Sequence, residues 1–318
     1  MFTLEKKNKK IYFRVAEIHA LSFEYSMNMG EVPLVDVHRH RLEFDPELSL
    51  VAEEDGKVLG HCLFTPHEIF LNGETIKAAI LAQIAIDPAM QKKGIGAKLI
   101  EEGHKRLIDK GFEMSILLGH SDYYPRFGYQ TNMFGTCYLE IQRDSIPPQP
   151  EGISERWVKA DDIPFLNSIW EMWFNDVDLA MKPGNSIIDW ISNDKSTVSS
   201  VVTRDSEAIG YLRYAKEFLH KPTSFLARDE NSASEMLAYI NGKSEAVSEQ
   251  PLYLPVHPDS SAVRNLLKVS FEHKMKTWEA AMIKELTPNP LVSQYVSEIK
   301  EGSRTCGLII WPVEFDVC

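Results

Sequence analysis

Residues 91–99 read Gln-Lys-Lys-Gly-Ile-Gly-Ala-Lys-Leu and directly follow the stretch Ala-Gln-Ile-Ala-Ile-Asp-Pro-Ala-Met. A strand that runs into a glycine-rich turn and then a helix leaves backbone N–H groups unpaired at the helix N-terminus. The positive end of the helix dipole adds to them, so the turn suits an anion. Gly94 and Gly96 place no side chain between a phosphate and those amides, and Lys92 and Lys93 add local positive charge. The spacing excludes two neighbours: a P-loop ends in Gly-Lys-Ser/Thr, and a dinucleotide fingerprint reads Gly-x-Gly-x-x-Gly after a first strand. A chance Gly-x-Gly at a helix start has the same appearance, so context decides between them. A second pattern, His38 and His40 two residues apart, would share one face of a strand and suggests a metal site. No third ligand is evident in the sequence, and the expected reading of that stretch is an extended loop.

The elements that must position the loop follow from periodicity. Residues 11–25 have helical spacing of apolar residues. Residues 48–54 and 57–73 read as strands joined at Asp55-Gly56, a strong hairpin signal. Residues 77–88 form an apolar strand ended by Pro88, residues 95–111 a helix closed by Gly111, and residues 112–119 a further buried strand. Helix, hairpin, strand, glycine loop, helix and strand make an α+β fold around one mixed sheet. A boundary falls at residues 143–152, where Pro147, Pro148, Pro150 and Gly152 can continue neither a helix nor a central strand.

Beyond it a similar order recurs: strand and helix over 153–174, with Asp161 or Asp162 near the N-cap, then a hairpin over 197–215. Strand and helix follow over 223–242, then another strand and helix over 251–271. The repetition is one of element order, not of residues. The second half has no counterpart of the glycine-lysine loop. Trp157, Trp170, Trp173 and Trp190 are expected in its core or at the domain interface.

The 318 residues fit two domains of about 150 each. The formal charge of −12 is shared: residues 1–150 carry 17 Lys+Arg against 21 Asp+Glu, and the remainder 17 against 25. Neither half is basic, which argues against nucleic-acid and anionic-membrane partners. No apolar run approaches the roughly 18 residues of a membrane span, and the N-terminus lacks the apolar core of a signal peptide. The four cysteines are far apart with no CxxC pair, as expected for reduced thiols in a cytoplasm.

In this context residues 91–96 resemble motif A of the GCN5-related N-acetyltransferases (GNAT), Gln/Arg-x-x-Gly-x-Gly/Ala after a strand. A second family stretch, Tyr-x-x-Phe/Leu-Gly-Phe/Tyr, is met by Tyr124, Phe127, Gly128 and Tyr129 after the next strand. The resemblance covers about residues 1–145 and implies a catalytic GNAT domain there. Residues 146–318 would be a degenerate GNAT-like domain ending in a strand, so that each half is a mixed central sheet flanked by helices.

The resemblance further implies acetyl-coenzyme A as cosubstrate, with no metal. Its diphosphate would lie on amides of Gln91, Lys92, Lys93, Gly94, Ile95, Gly96 and Ala97. Its pantetheine would pair with backbone near Ile84, Ala85 and Ile86, between two parallel strands that splay apart. A small-molecule or peptide amine would attack the thioester in a ternary complex. Tyr124 occupies the position of the family's general acid, and a phenol of pKa about 10 matches a departing thiolate usefully; Tyr123 is the adjacent alternative. Gln83 stands where many relatives carry a carboxylate base and cannot accept a proton. Glu68, His120 and Asp122 are candidates for that role on spacing alone. The carboxylate of Cys318 is another, by partial resemblance to multidomain aminoglycoside acetyltransferases. Arg39, Arg41 and Glu43 fall in the segment that borders the acceptor in the family's layout. The competing reading is a non-catalytic acyl-coenzyme A-binding or sensing protein.

Overall fold

The structure is a computed structural model and describes residues 2–4, 9–23, 31–148, 150–192, 194–244 and 249–309. Its first half runs β1 (Phe2–Leu4), α1 (Lys9–Ser22), α2 (Glu31–Arg39), β2 (Ser49–Glu54), β3 (Lys57–Leu71), β4 (Glu74–Ile86), α3 (Ile95–Asp109), β5 (Met114–Leu118) and β6 (Phe134–Ile141). The second continues with β7 (Ile153–Trp157), α4 (Ile163–Phe174), β8 (Thr197–Arg204), β9 (Glu207–Ala215), β10 (Ser224–Ala227), α5 (Glu230–Lys243) and β11 (Leu252–Leu254). It closes with α6 (Ser261–Leu266), β12 (Phe271–Thr277), β13 (Ala281–Glu285), α7 (Pro290–Glu301) and β14 (Gly307–Leu308).

Among the described residues the principal sheet has the order β1-β2-β3-β4-β5-β13. Two tight hairpins build its centre, turning at Asp55-Gly56 and Asn72-Gly73 with positive φ at all four residues. That backbone matches the right-handed strand twist, and Asx-Gly adopts it at low cost. One face of the sheet is covered by α3, whose Leu99, Ile100 and Leu107 pack with Phe64, Leu81 and Leu117. On the other face Val15 and Ile18 of α1 and Val35 of α2 pack with Val51 and Ala85. Further along that face, Val292 and Tyr295 of α7 pack with Ile69, Ile80 and Ile283.

The fold is α+β, with β10-β9-β8-β7 as a second, antiparallel sheet. A third is built on β6, which pairs with β11, β12 and β14. The expected division at residue 145 is crossed in both directions. β13 from the second half completes the first sheet by pairing antiparallel with β5. β6 in turn sends Leu139 and Ile141 into the core that holds Trp170, Trp173 and Trp190. Those three tryptophans are fully buried, whereas Trp157 is 73% exposed; it sits on β7 at the edge of its sheet. The stretch expected as an extended loop around His38 is instead helical, with Pro33 in the first turn of α2, where proline is tolerated. His38 is buried near the end of that helix, and His40 follows in the turn with Nδ1 2.7 Å from the Asp36 carbonyl. The pair therefore does not share a strand face. The C-terminal strand is described only at Gly307–Leu308; Cys318, with its carboxylate, lies outside the described residues.

Candidate functional site

β4 and β5 are parallel and pair only at Ala78–Met114, Ala79–Ser115 and Ile80–Ile116. β4 continues to Ile86 along β3, whereas β5 stops at Leu118. From Leu81 onward β4 therefore has no β5 partner, and the sheet opens into a wedge. A register shift opposite Cys62–Phe64 puts one extra β4 residue in the wedge, a bulge that re-aims the strand beyond Ala82. After it Ile84 and Ile86 pack on the α3 side with Tyr123, and Ala85 on the α1 side. Peptide groups on such an edge require partners, and an extended amide-bearing chain can supply them.

At the end of the wedge Asp87 caps a single 3₁₀ turn, Pro88–Met90, by accepting from Ala89 N–H at 2.9 Å. The loop then curls through two left-handed residues, Lys92 (φ +61) and Gly94 (φ +78). Gly94 is the N-cap of α3 and offers no side-chain cap. The first intrahelical bond runs from Lys98 N–H to Gly94 C=O, so the amides of Ile95, Gly96 and Ala97 precede it. A Cβ on Gly94 would meet nothing within 4 Å, so glycine is needed there for its φ. At Gly96 a Cβ would fit tightly, 3.2 Å from the Tyr123 hydroxyl and 3.7 Å from Ile86. A cleft of about 480 Å³ opens beside the loop, with Lys93 and Lys98 facing Glu53, Glu54 and Asp55 of the β2–β3 turn.

The chain leaves β5 at Gly119 and forms a 3₁₀ turn over Tyr124–Phe127, closed by Gly128 at φ +91. This turn brings two tyrosines to the wedge at different depths. The Tyr123 hydroxyl reaches the mouth of α3; burial pushes its phenol pKa up, and Arg126 lies 4.7 Å over its ring. Tyr124 is 9% exposed and sits against the end of β5, where a Cβ on Gly119 would meet its ring carbon at 2.3 Å. Tyr124 is thus nearer the apex of the wedge and Tyr123 nearer the helix mouth.

Ile84, Ala85, Ile86, the Gln91–Ala97 loop and Tyr124, read from sequence, converge on these strand ends. Gln83 is buried on β4. Glu68 lies at the far end of the β3–β4 hairpin opposite Lys77, 3.7 Å from Lys182. His120 and Asp122 are exposed in the loop that leads to Tyr124. Arg39 stacks on Tyr12 at 4.5 Å. Arg41 is buried against Asp189 of the second half at 3.2 Å and near His67 at 3.4 Å. Arg41 therefore joins the halves. Among the described residues no group of three His, Cys, Asp or Glu is arranged to hold a metal ion.

Sequence reasoning missed two polar chains. On the α1 side of the sheet, His19 Nε2 lies 2.9 Å from His61 Nδ1, and His61 Nε2 lies 2.9 Å from Ser49 Oγ. Burial, then the neighbouring His61, holds His19 well below the usual imidazole range. Beneath α3, His104 bridges Lys284 of β13 and Tyr129, and Tyr129 reaches Ser115 of β5. His19 and His104 are single histidines on α1 and α3, and neither partner is visible from local spacing.

In the second half the element order of β2 to α3 recurs as β8, β9, β10 and α5. There the helix mouth is closed from within: Asp229 caps α5 by accepting from Ser232 N–H at 2.8 Å and pairs with Arg228 at 3.0 Å.

A family model described as an acetyltransferase (GNAT) domain matches residues 6–131. The uncharacterized N-acetyltransferase YjhQ of Escherichia coli (strain K12) is 33% identical over 129 residues, covering 41% of this chain and 70% of that protein. A GCN5-related N-acetyltransferase from Anabaena variabilis ATCC 29413 superposes with a TM-score of 0.65 at 14% identity, over 90% of this chain and 73% of that one. Another from Kribbella flavida gives 0.64 at 15% identity, over 89% and 70%. At such identities these two structures speak for the fold, and they do so across both halves.

Proposed function

Because this chain belongs to the GNAT acetyltransferase superfamily, we propose that it transfers the acetyl group of acetyl-coenzyme A to a primary amine, with residues 1–145 as the catalytic unit and residues 146–318 as a degenerate GNAT-like unit. The observation that carries this reading is the wedge: β4 and β5 part after Ile80 and Ile116, and the uncapped mouth of α3 stands at the same strand ends. The fit is chemical. Unpaired helix-mouth amides suit the diphosphate, and the open β4 edge from Leu81 to Ile86 suits the amides of pantetheine.

In this reading the amides of the Gln91–Ala97 loop bind the diphosphate and the backbone of Ile84, Ala85 and Ile86 orients the thioester arm. A β4 N–H polarises the thioester carbonyl. The neutral amine forms its bond to the acetyl carbon as the carbon–sulfur bond breaks. Tyr124 donates its phenolic proton to the departing thiolate, consistent with its place near the apex of the wedge. Gln83 cannot take a proton, so the amine proton passes to solvent. Tyr123, nearer the helix mouth, walls the arm.

Thiol release from acetyl-coenzyme A across a broad amine panel tests this. Tyr124→Phe is expected to lower kcat about 10²-fold with little change in the KM for acetyl-coenzyme A. Unchanged turnover removes Tyr124 from the role. Tight cofactor binding with no thiol release from any amine would favour a sensing protein instead.

A further inference from the structure

Lys284 belongs to β13 in the second half, but its ammonium works in the first. Nζ donates to the Phe127 carbonyl at 2.6 Å and to His104 Nδ1 at 3.0 Å. Phe127 ends the 3₁₀ turn that Tyr124 begins. The backbone of β13 and the residue before it bracket the same segment: Gly119 N–H donates to Ala280 C=O at 3.1 Å where the chain leaves the sheet. Gln130 and Ile283 exchange two bonds, of 2.8 and 3.1 Å, where it returns. Between these anchors Lys284 adds a side-chain contact from β13 to the turn, at the Phe127 carbonyl. Lys284 passes directly beside Gly128, whose φ of +91 closes the turn; a Cβ there would lie in ordinary contact, 3.7 Å from Lys284 Cε and Nζ.

The chain continues from His104 Nε2 to the Tyr129 hydroxyl at 3.0 Å and from there to Ser115 Oγ at 2.7 Å. One proton pattern satisfies every member. Facing an ammonium, Nδ1 accepts, so Nε2 carries the hydrogen and donates to Tyr129, whose hydroxyl donates to Ser115. Burial, then the Lys284 charge, lowers the His104 pKa to about 3 and keeps the ring neutral for this pattern. α3, β5, the tyrosine turn and β13 are thereby joined at one point.

We propose that Lys284 is a positioning residue for acyl transfer, and that the second half contributes to the reaction by holding the Tyr124–Phe127 turn against α3 through this ammonium. The inference rests on the acetyl-transfer reading above. A misplacement on the order of 1 Å at a reacting group costs about 10²-fold in rate.

Lys284→Met is therefore expected to lower kcat between about 10- and 100-fold while the acetyl-coenzyme A Kd changes less than about twofold. Lys284→Arg keeps a donor for the Phe127 carbonyl and is expected to stay within about threefold of wild type; if Lys284→Met does not fold, Lys284→Gln takes its place. The discriminating measurement is the double mutant with Tyr124→Phe. If Lys284 acts through Tyr124, the double mutant loses no more than Tyr124→Phe alone. A wild-type enzyme that turns over while Lys284→Met retains full kcat overturns the proposal, as do losses that multiply in the double mutant. A wild-type protein that acetylates nothing overturns the parent reading and this one with it.

Discussion

Acid should weaken this protein through His104 in a measurable way. The imidazole is 5% exposed on α3, wedged between Lys284 and Tyr129. Burial first, and the Lys284 charge second, take its pKa from the usual 6.5 to about 3. The folded value lies below the unfolded one, so unfolding takes up a proton between about pH 3 and pH 6.5. The stabilising contribution is complete above that value and is lost as the pH falls toward 3. At pH 5 the unfolded ring is protonated and the folded ring is not, which lowers stability by about 2 kcal/mol relative to pH 8. Gln at position 104 offers one acceptor and one donor to the same partners without titrating. Urea unfolding followed by tryptophan fluorescence, at pH 8 and pH 5, gives the comparison. Wild type should lose about 2 kcal/mol more than His104→Gln, because His19 and the other histidines contribute equally to both proteins and cancel. Equal losses would show that the ring already titrates normally in the folded state, and the buried relay as described would be wrong.

Further outcomes follow from single positions. Gly103→Ala would place a Cβ 2.0 Å from the buried Phe64 ring, and should cost about 2–3 kcal/mol in the same unfolding assay; a neutral change would mean that α3 does not press on β3 at this point. A Cβ at Gly94 meets no atom within 4 Å, and aspartate tolerates the left-handed φ better than most residues, so Gly94→Asp should fold at a modest cost in stability, yet its carboxylate at the helix mouth should weaken acetyl-coenzyme A binding about 10²-fold by calorimetry; an unchanged Kd in the folded variant would remove the loop from the binding site. Because Asp229 already fills the corresponding mouth of α5, calorimetry should find one acetyl-coenzyme A per chain, and a second equivalent would contradict the self-capped reading of that half.

Much of the first half was legible in sequence because its signals are local. Asx-Gly turns fix hairpins within a few residues, and the glycine-lysine loop sits between an apolar strand and an amphipathic helix. The elements that went unread depend on distant partners. α2 carries Pro33 and reads as a loop until its Val35 is seen packing with α1 and β2. β12 is polar on one face and carries only Phe271 and Met275 as apolar residues on the other; it is a strand because β6 pairs along its whole length. β13 is five residues long and is placed by β5, far back in the chain. The same limit governs the site: the loop and Tyr124 follow local motifs, whereas Lys284, the Arg41–Asp189 pair and the His19–His61 pair join residues that only tertiary structure brings together. Arg41 reads as an acceptor contact from its segment alone; the carboxylate that claims it lies almost 150 residues further on.

A crystal structure of the protein with coenzyme A tests the central claim most directly. Diphosphate oxygens within hydrogen-bond distance of the amides of residues 94–97, and the pantetheine arm lying in the gap between Leu81–Ile86 and the end of β5, are the predicted result. A nucleotide lodged elsewhere, with the α3 mouth empty and the wedge closed by protein, would contradict the account.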